Sequence, residues 1–263
     1  MERNPDASYH ISSKDILSRL GSGFPDLTVR CFKTVDSTND EAKRQFRNGL
    51  RMTTLFIADR QTHGRGRRGR EFYSPSLTGL YLSILLPLSA EMPDFLSFTS
   101  RTAVAVCRAL KNVYSVSPAI KWVNDILLDG KKIAGILAEF VTDPSTGDTA
   151  VVIGIGINLS TELFPDAISH TAGSVGNTAV PREEIAAAVT RELLTLLRST
   201  DSDYLFEYRM LSSVLGHAIT YERNGLIRTG TAVDIDSDAA LIVLCSDGST
   251  DVLNSGEITV RPL

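Results

Sequence analysis

The stretch AIKWVNDILLDGKKIAGILAEF, residues 119–140, decides the fold class. Asp129-Gly130 is a two-residue turn signal, because both positions tolerate the positive φ of a tight hairpin. Apolar, β-forming runs flank it, so the spacing predicts strands over 119–128 and 132–141. Pro144 to Gly147 make the next turn, and AVVIGIGIN (150–158) reads as a third strand. Three strands in close succession, within a chain that elsewhere mixes strands and helices, predict a fold of the α+β class.

Upstream of this stretch, Phe98, Thr102, Val106, Ala109 and Leu110 recur at helical spacing, so 95–113 reads as a core helix that is over by Pro118. Residues 79–86 and 53–58 are apolar strands, and 27–35 another. Ser37 and Thr38 stand at N-cap positions, with Asp40 and Glu41 in the first turn. The pattern resembles a capping box opening a helix to Arg47, with Gly49 as its stop. Downstream, Pro181 suits the first position of a long helix ending near Leu197, and Glu183 and Glu184 favour its positive end. Residues 203–211 form one more helix. From Gly216 onward the spacing predicts five short strands (218–222, 229–234, 240–245, 250–253, 257–260), punctuated by Asn224-Gly225 and Asp247-Gly248. That pattern suits a small SH3-like β-barrel. The expected domains are a leader over 1–27, a larger domain over 28–214 and the barrel over 215–263.

Of 263 residues, 43% are hydrophobic and 22% charged, ordinary for a globular protein with a real core. The net charge of −4 argues against a molecule that binds nucleic acid through its overall field. Cys31, Cys107 and Cys245 are far apart with no metal-ligand spacing, which predicts free thiols in the cytoplasm. The first twenty residues carry charges throughout and hold no apolar signal segment, and no apolar run is long enough to span a membrane.

Gly64-Arg65-Gly66-Arg67-Arg68-Gly69-Arg70 concentrates four arginines on a glycine backbone. Glycines let amide donors wrap an anion, and guanidinium forks match phosphate and carboxylate oxygens. By composition alone a solvated basic loop or a nucleic-acid contact fits equally. Gln61 lies just before the loop at a strand end. Its amide donates and accepts, as a cyclic urea requires. Lys121, Asn124 and Asp125 together suggest phosphate neutralisation and a magnesium ligand.

Taken together, Ser37-Thr38-Asn39, Gln61 with the Gly64–Arg70 loop, Lys121-Trp122-Val123-Asn124-Asp125, Lys132-Ile133-Ala134-Gly135 and Gly154-Ile155-Gly156-Ile157-Asn158 resemble, in order and rough spacing, the biotin protein ligases. The resemblance runs from about residue 29 to the C-terminus. It implies an α+β, mixed-sheet catalytic domain of the biotin/lipoate ligase type that activates biotin with ATP and magnesium and attaches it to a lysine of a biotin carboxyl carrier protein or domain. It further implies biotin contacts from Ser37, Thr38, Asn39, Gln61, Arg65, Gly66, Arg67 and Lys132. Adenylate contacts are implied from Arg67, Arg70, Phe72, Lys121, Asn124 and Asn158, a magnesium ligand in Asp125, and catalytic roles for Lys132 and Arg67. Two positions depart from the family pattern. Val123 stands where proline is common, and Phe72 where some members carry tryptophan near the adenine.

Two alternatives remain beside this reading. A lipoate–protein ligase would share the fold and the adenylation chemistry but not the Arg/Gly loop joined to Lys-Trp-x-Asn-Asp. A bifunctional ligase and DNA-binding repressor would need an N-terminal unit larger than the roughly 30 residues that precede the match, so no specific nucleic-acid binding is expected. The chain is expected as a monomer or homodimer.

Overall fold

The computed structural model describes residues 10–88, 95–176, 179–199, 203–223, 225–256 and 258–260. The elements run in the order α1 (Ser13–Leu20), β1 (Thr28–Phe32), α2 (Thr38–Arg47), β2 (Thr54–Ala58), β3 (Gly79–Leu88), α3 (Phe95–Tyr114), β4 (Ala119–Lys121), β5 (Asp125–Leu128), β6 (Lys131–Thr142) and β7 (Thr149–Asn158). There follow α4 (Asp166–Ser169), α5 (Arg182–Arg198), α6 (Asp203–Met210), β8 (Ala218–Arg223), β9 (Leu226–Ile235), β10 (Leu241–Cys245), β11 (Thr250–Leu253) and β12 (Ile258–Val260). Among the described residues the strands form two sheets. One is seven-stranded in the order β1-β2-β3-β7-β6-β5-β4, and the other five-stranded in the order β11-β10-β9-β8-β12. In the larger sheet β1 and β2 run parallel and every other neighbour pair is antiparallel, so the sheet is mixed as expected.

Alternation along the central strands sorts residues onto two faces. On β7, Val151, Ile153, Ile155 and Ile157 join the main core with Leu80, Leu82 and Ile84 of β3, under α3 and α5. The opposite face is smaller. There Phe46 and Ala42 of α2 pack on Phe56, Leu85, Val141, Ala150 and Val152. Beyond the reach of α2's apolar residues, the same face carries Ser83, Gly135, Gly154 and Gly156, and a cleft opens. The sheet is therefore buried on one face and only half covered on the other.

Several expectations need correction. Residues 119–128 are not one strand. The chain reverses at Trp122-Val123-Asn124, where the Trp122–Val123 peptide is cis, and β4 pairs antiparallel with β5 in the register Ile120↔Ile126. Tertiary partners hold the turn. The Trp122 indole Nε1 donates to Ala239 O at 3.0 Å, and the buried Tyr208 hydroxyl donates to Val123 O at 3.0 Å. The leader contributes α1, whose Ile16 and Leu20 are buried in the main core. Ser12 caps it by accepting from Asp15 N, and Gly21 ends it at φ 69°. Only half of the anticipated capping box forms at α2. Ser37 Oγ accepts from Asp40 N at 3.4 Å, but the Ser37 amide donates to Asp36 Oδ1 instead of to a first-turn carboxylate. Pro181 occupies the N-cap of α5 instead of its first turn. The C-terminal part is a five-stranded antiparallel sheet, an arrangement compatible with the expected small barrel. Asn224 and Glu257, parts of the expected turn and last strand, lie outside the described residues.

Candidate active site

The floor of the cleft follows from what two strands lack. In the ladder Gly135 of β6 faces Gly156 of β7, and Leu137 faces Gly154. A Cβ on Gly154 would overlap the Asn39 side-chain oxygen, and one on Gly156 would overlap the Phe72 ring. These glycines let a helix terminus and an aromatic ring come down onto the sheet. Gly154 and Gly156 are two residues apart on one face, so the Asn39 end and the Phe72 end lie about 6.5 Å apart along the floor.

The Gly154 end is built for hydrogen bonding. Thr38 and Asn39 open α2, both buried. Gln61, just after β2, accepts through Oε1 from Thr38 N at 2.8 Å and Thr38 Oγ1 at 3.1 Å, and its Nε2 donates to Ser74 Oγ at 2.9 Å. Beneath them the Ser83 hydroxyl lies 2.7 Å from Thr38 Oγ1 and 2.5 Å from Asn39 Oδ1, with one proton to give. Asn39 Nδ2 donates to Leu137 O at 3.3 Å and to Glu139 Oε2 at 2.8 Å. Every amide here is oriented by its neighbours before any ligand arrives.

The Gly156 end is cationic. A β-bulge sets it up. Ile126 pairs with Ala134 but Leu127 pairs with Lys132, which leaves Ile133 as an extra residue. Consecutive Ile133 and Ala134 then both enter the main core, and Lys132 turns to the cleft face beside Gly135 and Phe72. Its ammonium pairs with Asp125 at 2.6 Å. Across the cleft, Arg67 Nη1 donates to Asn124 Oδ1 at 2.8 Å and to Gly256 O at 3.4 Å. Asn124 is held in turn by its Nδ2 donating to Ile136 O at 3.1 Å. The loop carrying Arg67 is a closed turn, with Gly66 N donating to Arg70 O at 2.7 Å and Phe72 N to Gly64 O at 2.8 Å. Arg68 adopts a left-handed φ of 55° within it.

The open cleft thus brings together Ser37, Thr38, Asn39, Gln61, Arg65, Gly66, Arg67, Phe72, Asn124 and Lys132 from the sequence reading. Four of the candidate residues do not line it. Arg70 closes the loop turn on the outside, Lys121 sits in β4, and Asp125 stands behind Lys132. Asn158 ends β7 opposite Gly79, its Nδ2 donating to Gly173 O at 3.0 Å while its Oδ1 is buried without a hydrogen-bond partner among the described residues. Arg65 lines the wall, but its Nε is engaged by Asp40 at 2.5 Å. Burial disfavours the Asp40 carboxylate, yet Lys43 and Arg65 outweigh it and hold its pKa below the usual range. The sequence reading passed over Ser83 and Glu139. Each is a lone polar residue within an apolar run, Leu80 to Leu86 for Ser83 and Ile133 to Val141 for Glu139, and that interruption is the signal that could have found them.

Known proteins share this architecture. The Biotin/lipoate A/B protein ligase family model matches residues 31–158, and the Biotin protein ligase C terminal domain model matches 214–261. The biotin–[acetyl-CoA-carboxylase] ligase of Mycobacterium tuberculosis is 31% identical over 261 residues, covering 94% of this chain and 93% of that protein. The bifunctional ligase/repressor BirA of Bacillus subtilis is 30% identical over 224 residues, 81% of this chain and 68% of that one. Among solved structures, the biotin protein ligase from Aquifex aeolicus in complex with biotin and ATP superposes with a TM-score of 0.77 at 26% identity, covering 89% of this chain and 98% of that one. The chain belongs to the biotin protein ligase family.

Proposed function

We propose that the cleft carries out both halves of an ATP-dependent biotin–protein ligase reaction, with the hydrogen-bonding end holding the ureido ring and the cationic end holding the reacting groups. The observation that carries this reading is one glycine-floored cleft with a network of oriented amides at its Gly154 end and with two cations in its lining, Lys132 beside Gly135 and Arg67 on the loop wall. Biotin has the same division, a cyclic urea at one end and a carboxylate at the other. Gln61, Asn39, Thr38 and Ser37 would meet the urea, whose N–H and C=O edges need both acceptors and donors. Lys132 and Arg67 would flank the carboxylate and the α-phosphate of ATP.

In the first half-reaction a biotin carboxylate oxygen bonds to the α-phosphorus and pyrophosphate leaves. Two anions must approach, and no acid or base is needed, so positioning and charge neutralisation supply the acceleration. Lys132 serves this because Asp125 and the bulge fix its ammonium over the floor. Phe72 presents a ring for the adenine beside Gly156. Asn158 and Lys121 would serve the nucleotide only from outside the cleft wall. No group of three potential metal ligands occurs among the described residues, and no carboxylate lines the cleft. Asp125, paired with Lys132 just outside the lining, would meet a magnesium ion only through a water, since that ion keeps its waters and arrives on phosphate oxygens. When bound, the ion would neutralise phosphate charge. In the second half-reaction the lysine amine of a biotin carboxyl carrier domain attacks the acyl carbon and AMP leaves.

The three cysteines are free, which supports a cytoplasmic setting, and no helix among the described residues is long and apolar enough to cross a membrane. The test is ATP–pyrophosphate exchange run with biotin, with lipoate and with no acid. Exchange stimulated by biotin alone supports the reading. Exchange stimulated by lipoate, or by neither acid, overturns it.

A further inference from the structure

The cleft has two side walls from separate parts of the chain, and an ion pair joins them. Ser37, Thr38 and Asn39 form one wall, and Arg65, Gly66 and Arg67 the other. Asp40, the residue after Asn39, receives Arg65 Nε at 2.5 Å on Oδ2 and Lys43 Nζ at 2.9 Å on Oδ1. Lys43 also reaches Glu139 Oε1 at 3.0 Å, and Glu139 Oε2 accepts from Asn39 Nδ2 at 2.8 Å. Charge alternates along Arg65, Asp40, Lys43 and Glu139, and the row ends on the Asn39 amide. Its two ends line the cleft and its three inner members do not. Asp40 and Lys43 are mostly buried, with side chains 18% and 16% exposed, so the row is less screened than a surface pair and each inner member is held from two sides.

The two loop arginines therefore have different tasks. Arg67 faces Asn124 across the cleft, while Arg65 is turned to α2. The geometry points to Asp40 as a positioning residue for the ligase reaction. Through Arg65 it ties the 64–70 loop to the start of α2 across the mouth of the cleft, and so keeps the acyl-adenylate enclosed without touching it. This rests on the ligase reading above. Asp40 carries no chemistry, so its loss should spare adenylate formation more than adenylate retention. The loop's backbone turn closes on itself and would persist, but its tie to the other wall would be gone.

The experiment measures release of biotinoyl-AMP from the full-length enzyme after it is formed from biotin and ATP. Four proteins are compared: wild type, Asp40→Asn, Arg65→Gln and the double variant. Glu41→Gln is the control. That residue lies in the same helical turn and pairs with Arg44 and Gln45, away from the cleft. Asp40→Asn is expected to release the intermediate about two- to fivefold faster, the range for a partly exposed pair. The double variant should be no faster than the faster single variant. Added salt should quicken release from wild type more than release from Asp40→Asn, so that the gap between the two narrows. Glu41→Gln should match wild type, which separates the tie from a general weakening of the helix start. Release from Asp40→Asn at the wild-type rate, additive effects in the double variant, or an equal effect of Glu41→Gln would each overturn the proposal while leaving the ligase reading intact. Failure of wild type to form biotinoyl-AMP would overturn both.

Discussion

The floor of the cleft and its loop wall meet the same ligand space but are held in place by different forces. The floor is two strands of a ladder, Gly135 against Gly156 and Leu137 against Gly154, with isoleucines packed beneath. Its shape comes from side chains that are missing, and nothing about it depends on charge. The wall over residues 64–70 has little core of its own. It is held by backbone hydrogen bonds within the turn and by guanidinium contacts that include Arg65 to Asp40 and Arg67 to Asn124 and Gly256 O. A perturbation of the floor should therefore act through shape and be indifferent to salt. A perturbation of the wall should act through charge and fade with salt.

Lys132 tests the boundary between them, because it is a charge mounted on the floor. Replacing Lys132 with Ala should lower the rate of adenylation by about 10²–10³-fold, the scale of losing one preorganised stabiliser of developing charge. Transfer from preformed biotinoyl-AMP should fall much less, and single-turnover kinetics of each half-reaction will show the split. Equal losses in both would mean that Lys132 supports the floor and not the chemistry.

Gly154→Ala asks whether shape alone governs the other end. The new methyl would meet the Asn39 side-chain oxygen, and Asn39 is locked by Ser83, Leu137 and Glu139. Overpacking of this kind costs about 1–3 kcal/mol. Biotin affinity should drop by roughly ten- to a hundredfold, measured by calorimetry, with no change in the loss between low and high salt. A salt-dependent loss would erase the distinction between floor and wall. The Arg67→Gly variant is the counterpart on the wall. Losing one charged fork should weaken retention of the adenylate by about 1.5–3 kcal/mol. Labelling of bystander lysines should rise accordingly, and the difference from wild type should shrink as salt is added.

The sequence made the wall easier to see than the floor. Four arginines among three glycines single out the loop, though composition alone leaves an anion site level with a solvated loop, and Lys132 and Asn124 stand on either side of a legible Asp-Gly turn. The reversal at Trp122–Asn124 was illegible, since the run from Ala119 to Leu128 holds no glycine or proline to mark a turn and looks like one strand. What bends it is a carbonyl 117 residues away in sequence and a tyrosine 85 away. The bulge that aims Lys132 shows only in the pairing of strands. Ser83 and Glu139 looked like incidental polar residues until α2 was laid over them. The apolar residues Ile16 and Leu20, four apart among charges, were enough to suggest α1, but the charges dominated the reading.

The smallest expected effect concerns the hinge between the two regions, Asp36, where the chain enters α2. Its carboxylate takes both terminal nitrogens of Arg44 at 2.8 Å and the Ser37 amide at 2.7 Å, while its carbonyl accepts from His63 N at 2.8 Å, just before the loop. Arg44 chiefly, with the Ser37 amide helping and burial opposing, holds the Asp36 pKa down to about 2. A carboxyl with a folded pKa below its unfolded value stabilises the fold fully above the ordinary aspartate range near ~4, and that contribution is lost as pH falls toward the folded value. Both partners are more than a third exposed, so solvent screens the pair and its share is under about 1 kcal/mol. Asp36→Asn should therefore lower urea stability slightly between pH 5 and 7. The gap to wild type should narrow from about pH 4 downward and also shrink in high salt. The gap for Gly154→Ala should stay flat over the same range, because a steric overlap has no proton to bind. A constant Asp36→Asn deficit down to pH 2.5 would show that its backbone role at the helix entrance, and not the Arg44 pair, stabilises this point.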